Sequence, residues 1–437
     1  MINVRNSAFW TKDYLSKSHV RKAISDIEKL YYMNSSSEVI SKYHEQAINT
    51  LLKHASQSTK FYNDYKNIKD LKQMPVVNKN IIRSQQADFL SNLYNKDKLI
   101  WMTTSGSTGE PFTCYQNKEK KKRVNAEVIF FNGLAGYNVG RKLIHLRSLN
   151  LVNKKSKFNQ LLQNENLIDV NQLNKEDIEK YIREMQRISK SSSSTLLGYA
   201  STYDAFAMYF NKHGMSKAKG CKINGIISTS EILFNETRET ISKAFNCNSY
   251  SRYANMENGV LAQDTPNQPN TFIINEANYY IEILDMTTDE PAREGEVGRI
   301  VVTDLYNYAM PMIRYDTGDI GSLTMCRVGN VEKKAITDFG GRKIDIVFDV
   351  NGSIISPHKI SVSFWSFSEL KQFQFIQEAS DSYKVLLVPY NEFNREKELK
   401  NTLKEIVGEN AKIEIEIVSS IPSLKSGKYK YIVNQII

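Results

Sequence analysis

The stretch "INGIISTSEILFNETRETISKAFNCNSYSRY", Ile223 to Tyr253, decides the fold class. "INGIIST" is an apolar run of strand length and reads as a buried strand. Glu236 to Phe245 reads as a helix, and "SYSRY" (Ser249 to Tyr253) as the next strand. Strand and helix in turn imply an α/β domain with parallel pairing.

Helices are expected upstream, at Val20–Tyr31, Ile40–Ser56, Lys175–Lys190 and Ser201–His213, the last stopped by Gly214. "MPVVNK", Met74 to Lys79, reads as a turn. Downstream, "TFIINEANYYIEILDM" and "GRIVVTDL" are strand-like and close together, which predicts an antiparallel or barrel-like segment after the α/β core. After "DFGGRKID" the pattern changes. "FQFIQ" and "YKVLLVP" read as strands, "REKELKNTLKEIVG" as a helix and "KIEIEIV" as a half-exposed strand. The expected architecture is therefore a large α/β domain over residues 1–340, including a small β-barrel-like segment, and a small α+β domain over 341–437. No internal repeats are present.

Hydrophobic residues make up 41% of the 437 positions and charged residues 24%, which is ordinary for a globular protein. No apolar run approaches the roughly 18 residues of a membrane span. The N-terminus lacks an apolar segment of signal-peptide length. A cytoplasmic protein is expected. Cys114, Cys221, Cys247 and Cys326 form no CxxC and read as reduced structural thiols. The six histidines lack metal-ligand spacing. The net charge of +10 fits an anionic partner. The densest basic run, "KEKKKR" (Lys118 to Arg123), reads first as a solvated helix face. The basic residues are otherwise scattered and carry no nucleic-acid-binding signature.

"TTSGSTGEPF", Thr103 to Phe112, combines closely spaced glycines with hydroxyl side chains. Glycines let backbone N–H groups approach a ligand, and Thr103, Thr104, Ser105, Ser107 and Thr108 add hydroxyl donors, a set suited to phosphate oxygens. It is neither a Walker A loop nor a GxGxxG fingerprint. "RYDTGDIG" places Asp319 after Gly318, read as a tight turn whose carboxylate could accept from a ribose diol. "SRYANMENG" offers Tyr253 for stacking on a base and Glu257 as a hard oxygen ligand for Mg²⁺. "SLKSGKYK" sets Lys428 after Gly427, a flexible point charge suited to a phosphate. Each of these has a plain structural alternative: a turn cap, a core ring, a surface charge, a solvated lysine.

The order "TTSGSTGEPF", "STSEIL", "YANME", "RYDTGDI", "GGRKID", "SGKYK" resembles the adenylate-forming superfamily of acyl-CoA synthetases, luciferase and peptide-synthetase adenylation domains. Within it, "GEVGRIVVTDLYNYAMPMIRYDTGDIG" is most similar to the phenylacetate–CoA ligase branch and its CapK-type capsule-biosynthesis relatives. The resemblance implies a large N-terminal domain and a mobile C-terminal lid. It implies ATP-dependent activation of a carboxylic acid to an acyl-adenylate, with release of pyrophosphate. Coenzyme A is then the favoured acceptor, and an amine such as an amino sugar the alternative.

By the same resemblance, Thr104, Ser105, Gly106, Ser107, Thr108 and Gly109 would hold the phosphates. Ser230, Glu231 and Tyr253 would lie at the adenine, and Asp319 and Arg342 at the ribose. Glu257 would bind Mg²⁺ and Lys428 would act at the α-phosphate. Tyr137, Tyr199 and Ser228 would line the acid pocket. The chain departs from the family's aromatic motif at Ala254 and Met256 and carries Glu110 where relatives have Lys. Those departures motivate a third reading, a nucleotide-binding protein without catalysis.

Overall fold

The computed structural model describes residues 4–104, 112–147, 156–170, 173, 175–342, 347–355, 360, 363–367, 369–422 and 431–436. The chain divides into two units. One is Met1–Thr317 with Ser322–Thr337, the other Gly318–Gly321 with Asp338–Ile437.

The first unit opens with helices α1 (Val4–Leu15), α2 (His19–Tyr31), α3 (Glu38–Ser58) and α4 (Lys79–Ser84). A hairpin of β1 (Ile100–Thr104) and β2 (Phe112–Gln116) leads into α5 (Lys118–Leu134). The α/β stretch follows as β3 (Lys142–Arg147), α6 (Lys157–Gln163), β4 (Glu165–Asp169), α7 (Lys175–Ser189), β5 (Ser194–Tyr199), α8 (Ala200–His213), β6 (Ile223–Thr229), α9 (Asn235–Phe245) and β7 (Ser249–Asn255). Next come β8 (Gly259–Thr265), β9 (Gln268–Ile274), β10 (Tyr279–Leu284), β11 (Gly298–Asp304), β12 (Tyr315–Val328) and β13 (Val331–Arg342).

These strands form one sheet in the order β10-β11-β12-β13-β9-β8-β7-β6-β5-β3-β4. Strands β4, β3, β5, β6 and β7 are parallel. The pairs β7–β8, β8–β9 and β9–β13 are antiparallel. The antiparallel segment expected after the α/β core thus continues the same sheet, and β7 is where the sense changes.

The parallel half is covered by amphipathic helices. On α7, Ile178, Tyr181, Ile182, Met185 and Ile188 recur at helical spacing and are buried. They join Phe206 and Phe210 of α8, Ile241 of α9, and Ile144, Leu196 and Ile226 of the strands. Helix α8 stops at Gly214, whose φ of 94° is costly for residues with a Cβ. The junction of α5 with β6 needs Gly225, since a Cβ there would lie 1.9 Å from Ala135 O. The N-terminal helices are fastened by Lys333 of β13. Its fully buried ammonium donates to Leu30 O (2.8 Å) and Met33 O (3.1 Å) and pairs with Glu276.

Two sequence expectations change. The basic run Lys118–Arg123 is not a solvated face. Lys120 is fully buried against Asp304, and Arg123 is bound by Asn278, Asp26 and Tyr43. One turn of helix points these two side chains inward and leaves Lys118 outside. Asp319 does not sit in a tight turn but within β12, because Gly318 absorbs a φ of 79° without breaking the strand.

The second unit holds a two-stranded pair, β14 (Val347–Phe348) with β15 (Ile354–Ile355), and β16 (Leu370–Ala379), β17 (Ser382–Pro389), β18 (Lys412–Ile417) and β19 (Ile432–Asn434). The last four form a sheet ordered β18-β17-β16-β19. Helix Glu396–Val407 buries Leu399, Leu403 and Val407 against Phe375, Val385 and Leu387. Strand β18 alternates exposed and half-buried residues along most of its length. Among the described residues, no helix is long and apolar enough to cross a membrane.

Candidate active site

In an open sheet with parallel strands, ligands bind beyond the carboxyl ends of those strands. That edge carries Arg147 at the end of β3, Tyr199 at the end of β5, Ser228, Thr229, Ser230 and Glu231 around the end of β6, and Tyr253 near the end of β7. Exposed Ser230 takes a φ of 72°, uncommon for a residue with a Cβ, and marks a sharp exit from β6. Glu231 Oε2 accepts from Ser201 N (2.9 Å) and Ser201 Oγ (2.7 Å). It therefore caps α8, whose N-cap Tyr199 offers no side-chain bond.

Glu257 lies two residues beyond β7 and is almost wholly buried. Lys79 Nζ is 2.7 Å from Glu257 Oε1, and the Tyr315 hydroxyl donates to the same oxygen at 3.2 Å. Gln116 Nε2 donates to Glu257 O at 3.1 Å. Lys79 arrives there because Val77 bridges to Tyr315, with Val77 N to Arg314 O at 3.0 Å and Asp316 N to Val77 O at 2.8 Å. Asn78 then caps α4 through Asn80 N and Ile81 N. The Lys79 ammonium also stands 6.0 Å from the Phe112 ring. Phe112 opposes Thr104 in the β1–β2 pair, so the hairpin brings both ends of the Ser/Thr/Gly segment to the Lys79–Glu257 pair.

A buried polar network underlies the Glu257 turn. Asn258 N donates to Asn255 Oδ1 at 2.8 Å, and Asn255 Nδ2 donates to Asn258 Oδ1 at 3.0 Å. Tyr279 Oη is 2.8 Å from both Asn258 O and Glu127 Oε1. Lys120 Nζ donates to Tyr279 Oη at 3.1 Å and pairs with Asp304 at 2.7 Å. Burial raises the Glu127 carboxyl above its ordinary range, opposed by Lys120. The basic run thus serves the site from beneath.

The three anticipated pocket residues do not meet at one place, and others cannot be compared with them. Ser105 to Gly109 and Lys428 lie outside the described residues, as do the side chains of Thr104 and Arg342. Asp319, half-buried in β12, and Arg342 belong to the second unit. Tyr253 is 5% exposed, and its hydroxyl donates to Thr317 Oγ1 at 3.2 Å. Tyr137 is separated from the other two pocket candidates. It follows α5, which returns the chain to the start of β3, and neighbouring Gly136 O accepts from Asn224 Nδ2 near the start of β6. That is the opposite edge of the sheet from Tyr199. Ser228 and Tyr199 point to opposite faces, since Ser228 pairs in register with Gly198 and side chains alternate along a strand.

Sequence reasoning missed Lys79, Gln116 and Tyr315. Lys79 had a readable signal. A cation at the first position of a helix opposes the helix dipole, which calls for a carboxylate partner.

The family model described as the CapK C-terminal domain matches residues 347–435. Protein CapK of Staphylococcus aureus is 25% identical over 97% of this chain and 95% of its own length. The phenylacetate-coenzyme A ligase of Aromatoleum evansii is 26% identical over 37% of this chain and 40% of its own. Over nearly its whole length the chain is similar to Protein CapK. The fold of the chain is shared with 2-hydroxyisobutyryl-CoA ligase in the postadenylation state, solved with R3-HIB-AMP. The TM-score is 0.72 at 13% identity, covering 92% of this chain and 91% of that one.

Proposed function

We propose that this enzyme converts a carboxylic acid to its acyl-adenylate with ATP, releasing pyrophosphate, and passes the acyl group to coenzyme A. The observation that carries this reading is the Lys79–Glu257 pair at the two ends of the Ser/Thr/Gly segment. It offers a cation for phosphate and a carboxylate for a divalent ion at one point.

In the first step a carboxylate oxygen attacks the α-phosphorus, and the bond from that phosphorus to the bridging oxygen of pyrophosphate breaks. Such displacement needs positioning and charge stabilisation more than covalent help. Ser105 to Gly109 and Lys79 face the departing pyrophosphate in this reading, and Lys428 balances charge growing at the α-phosphate. Ser230 and Tyr253 lie on the base side, and Asp319 and Arg342 hold the ribose. Glu257 suits Mg²⁺, which takes one or two carboxylates and otherwise water and phosphate oxygens. Neighbouring Gln116 Oε1 is buried and has no hydrogen-bond partner among the described residues. Bound there, Mg²⁺ would neutralise phosphate charge. In the second step a thiolate adds to the acyl carbonyl and AMP leaves.

ATP–pyrophosphate exchange over a panel of aryl, fatty, hydroxy and amino acids tests the first step. Mass spectrometry of products with coenzyme A or glucosamine tests the second. Measurable ATP binding with no exchange for any acid would move the reading to the non-catalytic alternative.

A further inference from the structure

On the α5 side of the sheet, the carboxyl ends of four neighbouring strands present one row of side chains. Arg252 of β7 stands in register with Thr229 of β6, and Thr229 with Tyr199 of β5. Arg147 of β3 falls beside Tyr199, one residue beyond the Leu146–Gly198 pair. The row faces α5, because Arg252 Nη2 donates to Asn132 Oδ1 at 2.8 Å. Two residues earlier on the same face, Leu197, Ile227 and Tyr250 pack with Leu134 and Ala135 into an apolar floor.

Arg252 is committed to neutral amides, with its Nε and Nη2 also bound to Gln263 Oε1 at 2.9 and 2.7 Å. Arg147 is differently placed. It is half-buried and hydrogen-bonded to the Tyr199 hydroxyl. Its Nε is buried without a hydrogen-bond partner among the described residues, and Asp169 of β4 stands in register beside it. Glu231, the acid acting on Tyr199, has Oε2 engaged in capping α8. A buried polar atom left without a partner needs a reason, and a ligand group is one.

The reacting carboxylate belongs near Glu257, just past β7. Arg147 is on β3, three strand spacings away, or roughly 14 Å. We propose that Arg147 and Tyr199 read a second anionic group at the end of the substrate remote from the reacting carboxylate, so that the enzyme selects acids carrying two acidic groups. The position of the reacting end rests on the adenylation reading above. Planar, permanently charged Arg is suited to holding a carboxylate through two parallel N–H bonds.

Calorimetric titration tests this, with succinate, glutarate and adipate set against butyrate, valerate and hexanoate, all in the presence of α,β-methylene-ATP. At least one dicarboxylate is expected to bind roughly ten- to a hundredfold more tightly than its monocarboxylate. Arg147→Ala should abolish that difference and Arg147→Lys should keep part of it. Equal binding within every pair, no binding by any dicarboxylate, or a preference unchanged in Arg147→Ala overturns the proposal. Pyrophosphate exchange on the same acids reads adenylation separately. A preference without exchange would retain the role of Arg147 and defeat the adenylation reading. Exchange with monocarboxylates alone would do the reverse.

Discussion

Lys120 Nζ lies 2.7 Å from Asp304 Oδ2, and neither side chain reaches solvent. Removing one partner of such a pair leaves an uncompensated buried charge, which costs about 3–5 kcal/mol. Lys120→Met is expected to lower unfolding stability by about that amount in urea titrations. The double change Lys120→Met with Asp304→Leu should recover much of it. An unchanged midpoint for the single variant would show that the pair does not anchor the fold.

Glu257 serves Lys79 in this structure, and in the proposed reaction it serves Mg²⁺. The two cations would then compete. Lys79→Met is expected to tighten binding of Mn²⁺ (a paramagnetic substitute for Mg²⁺) in the absence of nucleotide, by several-fold. Glu257→Gln should weaken it and lower pyrophosphate exchange by roughly 100–1000-fold. Equal Mn²⁺ affinity in all three proteins would remove Glu257 from the metal.

Chemistry and binding should separate at two other positions. Lys428→Ala is expected to abolish adenylate formation while ATP affinity by calorimetry stays close to that of the parent. Asp319→Ala should weaken ATP binding itself. Undiminished exchange in the first, or unchanged affinity in the second, would withdraw the role concerned.

The thiols should be silent. Burial pushes Cys221 and Cys247 up to about 12, and raises Cys114 and Cys326 as well. A thiol at about 12 leaves roughly one molecule in ten thousand ionised at pH 8, and the thiolate is the reactive form. A chromogenic disulfide reagent should find no fast-reacting cysteine in the folded protein at pH 8 and all four in guanidinium. Because the shifts are upward, reactivity should rise only toward strongly alkaline pH. A rapid one-thiol burst at pH 8 would contradict the burial.

Local pattern was a good guide wherever neighbours in the chain decide structure. The helices at Val20–Tyr31 and Lys175–Lys190 lie within a residue or two of their expected ends, and the strand at Ile223–Thr229 lies where it was expected. Pattern fails where a distant partner decides. Nothing near "KEKKKR" announces that Asp304, Tyr279 and Asn278 will enclose Lys120 and Arg123. Tyr137 and Tyr199 look alike as pocket walls, yet strand direction sends them to opposite edges. Gly318 reads as a turn residue, but pairing on both sides of β12 holds it in a strand.

The Lys333 fastening has a consequence for synthesis. Its ammonium closes on carbonyls 303 and 300 residues earlier in the chain. At ribosomal rates of about 5–20 residues per second, the end of α2 and the connection after it would wait roughly 15–60 seconds for that contact. Their final seat cannot exist until β13 has emerged. This part of the chain is therefore made long before it is locked, and it is where a chaperone would find the nascent chain open.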